Sequence, residues 1–127
     1  MTDIRDATPG DIEAIVDFNA RLAERDGTVI GQAAVTREWS DWRNGWLWWF
    51  QSVYVAPEAR GRGVFRALYA HIWESAHDLP DVIGLRLYVE ENNAGAKETY
   101  RAMGMVHGGY EVFEELWRER FGAIIAE

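Results

Sequence analysis

The chain has 127 residues, 48% of them hydrophobic and 27% charged, with no cysteine. This is room for one globular domain, residues 1–127, and it excludes wholesale disorder, a disulfide framework and thiolate metal sites. A net charge of −8, from 13 Lys and Arg against 21 Asp and Glu, argues against a nucleic-acid surface and favours a cationic small-molecule partner.

The charge is unevenly spread. Arg60, Arg62 and Arg66 fall within seven residues that contain no acid, so one small basic spot sits on an acidic body. Such a spot suits an anionic ligand bound at one place. The polar start Met1–Arg5 lacks the apolar core of a signal peptide, and the longest apolar run, Trp46–Phe50, is far shorter than a membrane helix needs. These features, with the lack of cysteine, lead us to expect a cytoplasmic protein with no membrane partner.

Asp3–Ala7 reads as a first strand. Thr8, Pro9, Gly10 and Asp11 then resemble a helix start, with Thr8 as cap and Pro9 at the first helical position. Ile12, Ile15, Val16 and Leu22 recur at helical spacing, which predicts a helix to about Arg25. Asp26-Gly27 signals a turn, and Thr28–Glu38 reads as a strand. After a polar turn, Asp41–Gly45, the nearly continuous apolar run Gly45–Ala56 predicts a central strand covered on both faces. Pro57 ends it. From Gly61 a helix carries the stripe Phe65, Leu68, Tyr69, Ile72, Trp73 and Ala76. Leu79-Pro80-Asp81 breaks that helix, Val82–Val89 is a further strand, and Asn92–Met103 a short helix stopped by Gly104. Tyr110–Leu116 reads as a last strand and Trp117–Ala126 as a terminal helix. The order predicts an α/β (α+β) fold, a mixed sheet flanked by helices.

Two segments carry chemistry. Between the central strand and the helix lies Ala59-Arg-Gly-Arg-Gly-Val-Phe-Arg66, a turn whose backbone N–H groups gather at the positive end of a helix dipole. Read alone, it is equally a phosphate cradle or an ordinary turn with solvated arginines. It is neither a Walker loop nor a dinucleotide fingerprint. The second segment, Asn93-Ala-Gly-Ala96-Lys-Glu-Thr-Tyr100-Arg-Ala-Met-Gly104-Met105, follows the strand containing Leu85–Val89.

Together, and in this order, the two segments resemble the GNAT superfamily of acyl-CoA-dependent N-acetyltransferases. Arg60, Gly63 and Phe65 stand where that family's cofactor motif has an Arg or Gln, a Gly, and a small residue. Asn93, Ala96, Tyr100, Gly104 and Met105 match its later motif. The resemblance covers about Thr28–Leu116. It implies a mostly antiparallel sheet whose central strand parts from its neighbour and takes the pantetheine of acetyl-CoA into the gap. Backbone atoms of Val53 and Val55 would then pair with pantetheine. The N–H groups of Gly61, Arg62, Gly63, Val64, Phe65 and Arg66, with Arg60 beside them, would hold the pyrophosphate. Asn93 would contact the pantetheine arm, and Tyr100 would protonate the departing thiolate. No metal is implied, and His71, His77 and His107 lack ligand-like spacing.

The chain departs from the family at two points. Phe65 replaces a small residue, which predicts crowding at the helix start. The family's second helix and following strand have no counterpart between the first helix and Thr28, which predicts a shortened N-terminal half. The acceptor side would then be open, completed by a partner chain, or left with CoA affinity and little turnover.

The stretch Thr36–Trp46 and the segment Gly109–Glu115 resemble the diamine (spermidine/spermine) acetyltransferase branch, which implies a primary amine on a small cationic acceptor, acetylated by direct attack in a ternary complex. That branch has an acid where this chain has Gln51, which cannot act as a base. Glu38, Asp41 and Glu90 are the other candidates for the acceptor side. Trp39, Trp42, Trp46, Trp48 and Trp49 crowd one hairpin and serve as core and interface, or as a cation or carbohydrate platform. A non-catalytic binding module, built on those rings or on CoA affinity alone, is therefore the alternative to an enzyme. The apolar surface left by a shortened fold predicts a homodimer, with the terminal segment or the 28–56 hairpin at its interface.

Overall fold

The computed structural model describes residues 2–6 and 20–118. The chain divides after Leu87 into two units. The first contains β1 (Thr2–Asp6), β2 (Ala20–Arg25), β3 (Thr28–Ser40), β4 (Gly45–Val55), a 3-10 turn at Pro57–Ala59, α1 (Val64–His77) and β5 (Val82–Leu87). The second contains α2 (Ala94–Ala102).

The five strands form one sheet in the order β1-β2-β3-β4-β5. The first three pairings are antiparallel and β4–β5 is parallel, as it must be when α1 carries the chain back across the sheet. This is the mixed, mostly antiparallel α/β architecture that the element order predicts. α1 touches all five strands. It does so through Val64, Leu68, Ile72 and Ala76, one residue per turn, all buried. They meet Ala33, Val35, Trp48, Phe50 and Val55 in the main core. Of the apolar stripe read in the sequence, Trp73 alone turns outward, stacked on His77 with centroids 4.4 Å apart.

Phe65 finds room. Its ring packs against Phe50 at 6.0 Å and Tyr69 at 6.2 Å, and Phe50 stacks on Tyr69 at 5.6 Å. The expected crowding is thus resolved by an aromatic trio beneath the first turn of α1. Burial raises the Tyr69 phenol above its ordinary value of 10.0.

Three expectations need correction. Ala20–Arg25, read as the end of a helix, is a strand between β1 and β3. Leu22 and Ala23 are both fully buried, in different core clusters, as befits neighbours that point to opposite faces of a central strand. Asp26 and Gly27, with φ of 52° and 78°, form the two-residue turn that joins β2 to β3. The strand thought to be missing is therefore present. The helix start at Thr8–Asp11 and the stripe through Val16 lie outside the described residues.

The second correction concerns Tyr110–Leu116, where no strand forms. Its apolar side chains are exposed, Phe113 by 91% and Leu116 by 79%, and adjacent Val112 and Phe113 break the alternation a strand needs. Thirdly, Trp117 and Arg118 are not helical, and the rest of the expected terminal helix lies outside the described residues.

Candidate active site

The edge of β4 is the first feature of the site. β5 pairs with β4 from Trp46 to Phe50 and ends at Leu87, opposite Phe50, whereas β4 runs on to Val55 beside β3. Ala34 faces Ser52 and Val35 faces Phe50, so Gln51 is the extra residue of a bulge at the point where the two strands part. Beyond it the backbone alternates regularly. Ala56 N–H donates to Ile30 O at 2.7 Å, so period two directs the Val53 and Val55 N–H and C=O groups away from β3. No described strand lies along that side. An extended ligand carrying amides can pair there as a further strand would.

The turn into α1 continues from that edge. Arg60 Nε donates to Val55 O at 2.9 Å, tying the turn to the end of β4. Gly61 and Gly63 have φ of 75° and 79°, and an added Cβ would meet nothing within 4 Å at either. Backbone conformation, not crowding, selects glycine here. The helical ladder opens with Ala67 N–H donating to Gly63 O, so the N–H groups of Val64, Phe65 and Arg66 precede its first rung. The first turn holds no acid. Arg62 and Arg66 are exposed and pair with no described residue. Donors, dipole and two exposed cations converge at one end of α1, which suits a phosphate or pyrophosphate.

α2 uses its motif differently. Asn93 Oδ1 accepts from Ala96 N–H at 3.0 Å and caps the helix. At the other end Gly104 adopts φ 101°, Gly104 N–H donates to Arg101 O, and Met105 N–H donates to Tyr100 O, both at 3.0 Å. This is a Schellman motif, which requires a residue tolerant of positive φ at Gly104. Tyr100, half-buried, stands in the last turn so defined.

The remaining candidates are scattered. Glu38 is engaged, its Oε1 accepting from Trp49 Nε1 at 2.9 Å and from Arg86 Nη1 at 2.8 Å. Gln51 Nε2 donates to Thr36 Oγ1 at 3.0 Å. Asp41 is exposed in the hairpin turn, and Glu90 Oε2 accepts from Asn92 N–H at 3.1 Å in the second unit. The hairpin tryptophans form no single cluster. Trp48 is buried, Trp39 and Trp46 form a T-shaped pair at 5.2 Å, Trp42 is 92% exposed, and Trp49 faces the opposite side of the sheet with Glu38. Sequence reading missed Arg86, because its contact with Glu38 spans 48 positions and only strand register creates it. Among the described residues no group of His, Asp or Glu could hold a metal ion.

The Acetyltransferase (GNAT) family model matches residues 6–105, and the chain belongs to that acetyltransferase family. A solved structure described as a possible acetyltransferase from Clostridium difficile 630 is 28% identical, with a TM-score of 0.80, covering 94% of this chain and 99% of the other. The aminoglycoside N-acetyltransferase AAC(6')-Iy in complex with CoA is 17% identical, with a TM-score of 0.74 and coverage of 95% and 96%. Glucosamine-6-phosphate N-acetyltransferase from Arabidopsis thaliana is 15% identical, with a TM-score of 0.72 and coverage of 91% and 98%. These last two share the fold. Among curated proteins, none matches the chain.

Proposed function

We propose that the whole chain is one acetyltransferase domain that transfers the acetyl group of acetyl-CoA to a primary amine of a small acceptor. The observation that carries this reading is the continuity of the outward β4 edge, Val53 and Val55, with the basic, acid-free turn from Arg60 to Arg66. One ligand with an amide-bearing arm and a pyrophosphate matches both, and neighbours of the same fold bind CoA. In this reading the backbone of Val53 and Val55 pairs with pantetheine. The N–H groups of residues 61–66, with Arg62 and Arg66, hold the pyrophosphate. Arg60 fixes the turn, and Asn93, whose Oδ1 caps α2, keeps an amide nitrogen for the pantetheine contact that the family resemblance implies.

Direct attack in a ternary complex needs no covalent enzyme intermediate. The neutral amine nitrogen bonds to the thioester carbonyl carbon, the C–S bond breaks, and Tyr100 O–H supplies the proton taken by the departing sulfur. A phenol of pKa about 10 is matched to a thiolate whose acid is near 8.5. The amine's own proton leaves to water, because Gln51 is no base, and a proton from water restores the Tyr100 phenol. Release of free thiol from acetyl-CoA across a panel of amines tests the activity, and a rise in Tm with acetyl-CoA tests the binding step. Failure of both at millimolar acetyl-CoA overturns the proposal.

The exposed side chains of Val106, Tyr110, Val112, Phe113, Leu116 and Trp117 form an apolar run too large to leave bare, and we place it at a two-fold homodimer interface. Sedimentation at micromolar concentration checks this, with a monomer as the refuting result. No helix among the described residues is long and apolar enough to cross a membrane. We place the reaction in the cytoplasm, the compartment that fits a cysteine-free chain.

A further inference from the structure

Thr36, Glu38, Trp49, Gln51 and Arg86 share one face of the sheet, immediately before the point where β5 stops. Cross-strand pairing puts Thr36 opposite Trp49 and Trp49 opposite Arg86, and paired residues present their side chains to the same side. Glu38 Oε1 carries both donors, Trp49 Nε1–H and Arg86 Nη1–H, and the guanidinium lies 5.8 Å from the centre of the Trp49 ring. The other carboxylate oxygen has no partner among the described residues. Beside it the Gln51 amide donates to Thr36 Oγ1, which leaves the Gln51 carbonyl oxygen as an acceptor and the Thr36 hydroxyl hydrogen as a donor. The result is a ledge with two acceptors, one donor and an indole wall.

The ledge is electrically balanced. Its one carboxylate is paired with Arg86 at 2.8 Å, so it offers a polycation no uncompensated charge. A polyamine, with one ammonium after another and no hydroxyl groups, can donate to the Gln51 carbonyl but offers no acceptor to the Thr36 hydroxyl hydrogen. A monoamine bearing several hydroxyls uses all of them: an ammonium or hydroxyl on Glu38 Oε2, hydroxyls on Gln51 and Thr36, and its C–H surface on the indole. Resting on the acetyltransferase reading of the same site, we infer that this ledge selects the acceptor and that its class is the amino sugars, not the diamines implied by sequence resemblance. Glu38 and Gln51 then orient the acceptor's nitrogen at the parting of β4 and β5, and Arg86 sets the preference by neutralising Glu38.

The test follows the Trp49 indole N–H resonance in 15N-labelled protein, assigned by its loss in Trp49→Phe, during titration with D-glucosamine, spermidine and D-glucose. D-Glucosamine shifts the resonance saturably, and spermidine and D-glucose each bind at least about tenfold more weakly. Glu38→Gln, which keeps an acceptor for Trp49 but loses the charge, weakens D-glucosamine about tenfold, in line with loss of one charge-assisted hydrogen bond. Arg86→Gln uncovers the Glu38 charge and moves the preference toward spermidine. An immobile Trp49 resonance, a wild-type preference for spermidine, or an unchanged preference in Arg86→Gln each overturns the inference. Acetyl-CoA binding is measured separately by thermal shift. Sugar binding without acetyl-CoA binding defeats the acetyltransferase reading alone, and acetyl-CoA binding with an immobile Trp49 defeats the ledge alone.

Discussion

The turn before α1 and the ends of α2 carry the two halves of the family motif, and they spend their residues in opposite ways. In α2 the named side chain and the glycine close hydrogen bonds within the helix: Asn93 takes the Ala96 N–H, and Gly104 lets Met105 reach the Tyr100 carbonyl. In the turn, the positive-φ glycines leave the N–H groups of Val64, Phe65 and Arg66 ahead of the helical ladder, and Arg62 and Arg66 pair with no described residue. One motif finishes a helix and the other leaves donors at the start of one, where we propose that the ligand binds. A glycine at positive φ can thus close a helix at one place and leave donors ahead of a helix at another, and hydrogen-bond partners tell them apart.

The largest effect that would break this comparison is on binding. Gly63→Asp puts a carboxylate where we propose that the pyrophosphate is held, and we expect the acetyl-CoA thermal shift to vanish while the melting curve of the free protein moves by only a few degrees. Persistence of the shift would show that the turn is mere connection. Next in size, Tyr100→Phe should lower kcat by about 10²-fold, within the usual range for a lost general acid, and leave acetyl-CoA affinity unchanged. Wild-type turnover would make Tyr100 structural, like its neighbours in the motif.

Smaller effects sharpen the contrast. Gly104→Ala should cost roughly 1 kcal/mol of stability, because the C-terminal cap needs positive φ, and should not alter acetyl-CoA affinity measured by calorimetry. Asn93→Asp keeps the capping oxygen and loses the amide donor. We expect its Tm to hold within about a degree while acetyl-CoA affinity falls severalfold. If Tm falls and affinity does not, the cap is the whole role of Asn93. The smallest effect is alkaline. The Tyr69 phenol titrates above its ordinary 10.0, so its contribution is fully present below pH 10 and is lost as pH rises through the higher folded value. Above pH 10, denaturation midpoints should fall more steeply for the wild type than for Tyr69→Phe.

Much is legible in the sequence. The α1 stripe, the runs of β3 and β4, the Asn93 and Gly104 boundaries and the Arg60–Arg66 turn are local patterns, and each formed where its residues put it to within a few positions. β2 was also legible in principle. Asp26-Gly27 is a two-residue hairpin signal, which demands a strand on both sides, but the apolar spacing from Ile12 to Leu22 fits one helix and hides the boundary within it.

Sequence by itself therefore determined the elements and both motifs, because capping, turn geometry and apolar periodicity depend on residues a few positions apart. Tertiary structure alone decided what those elements could do together. Where β5 stops against Phe50, that Gln51 is a bulge, that Glu38 is taken by Arg86, and that Tyr110–Leu116 stays out of any strand are all matters of pairing between distant segments. A strand exists only with a partner, and a carboxylate's role depends on which cation strand register brings beside it. Neither is written in its own neighbourhood of the chain.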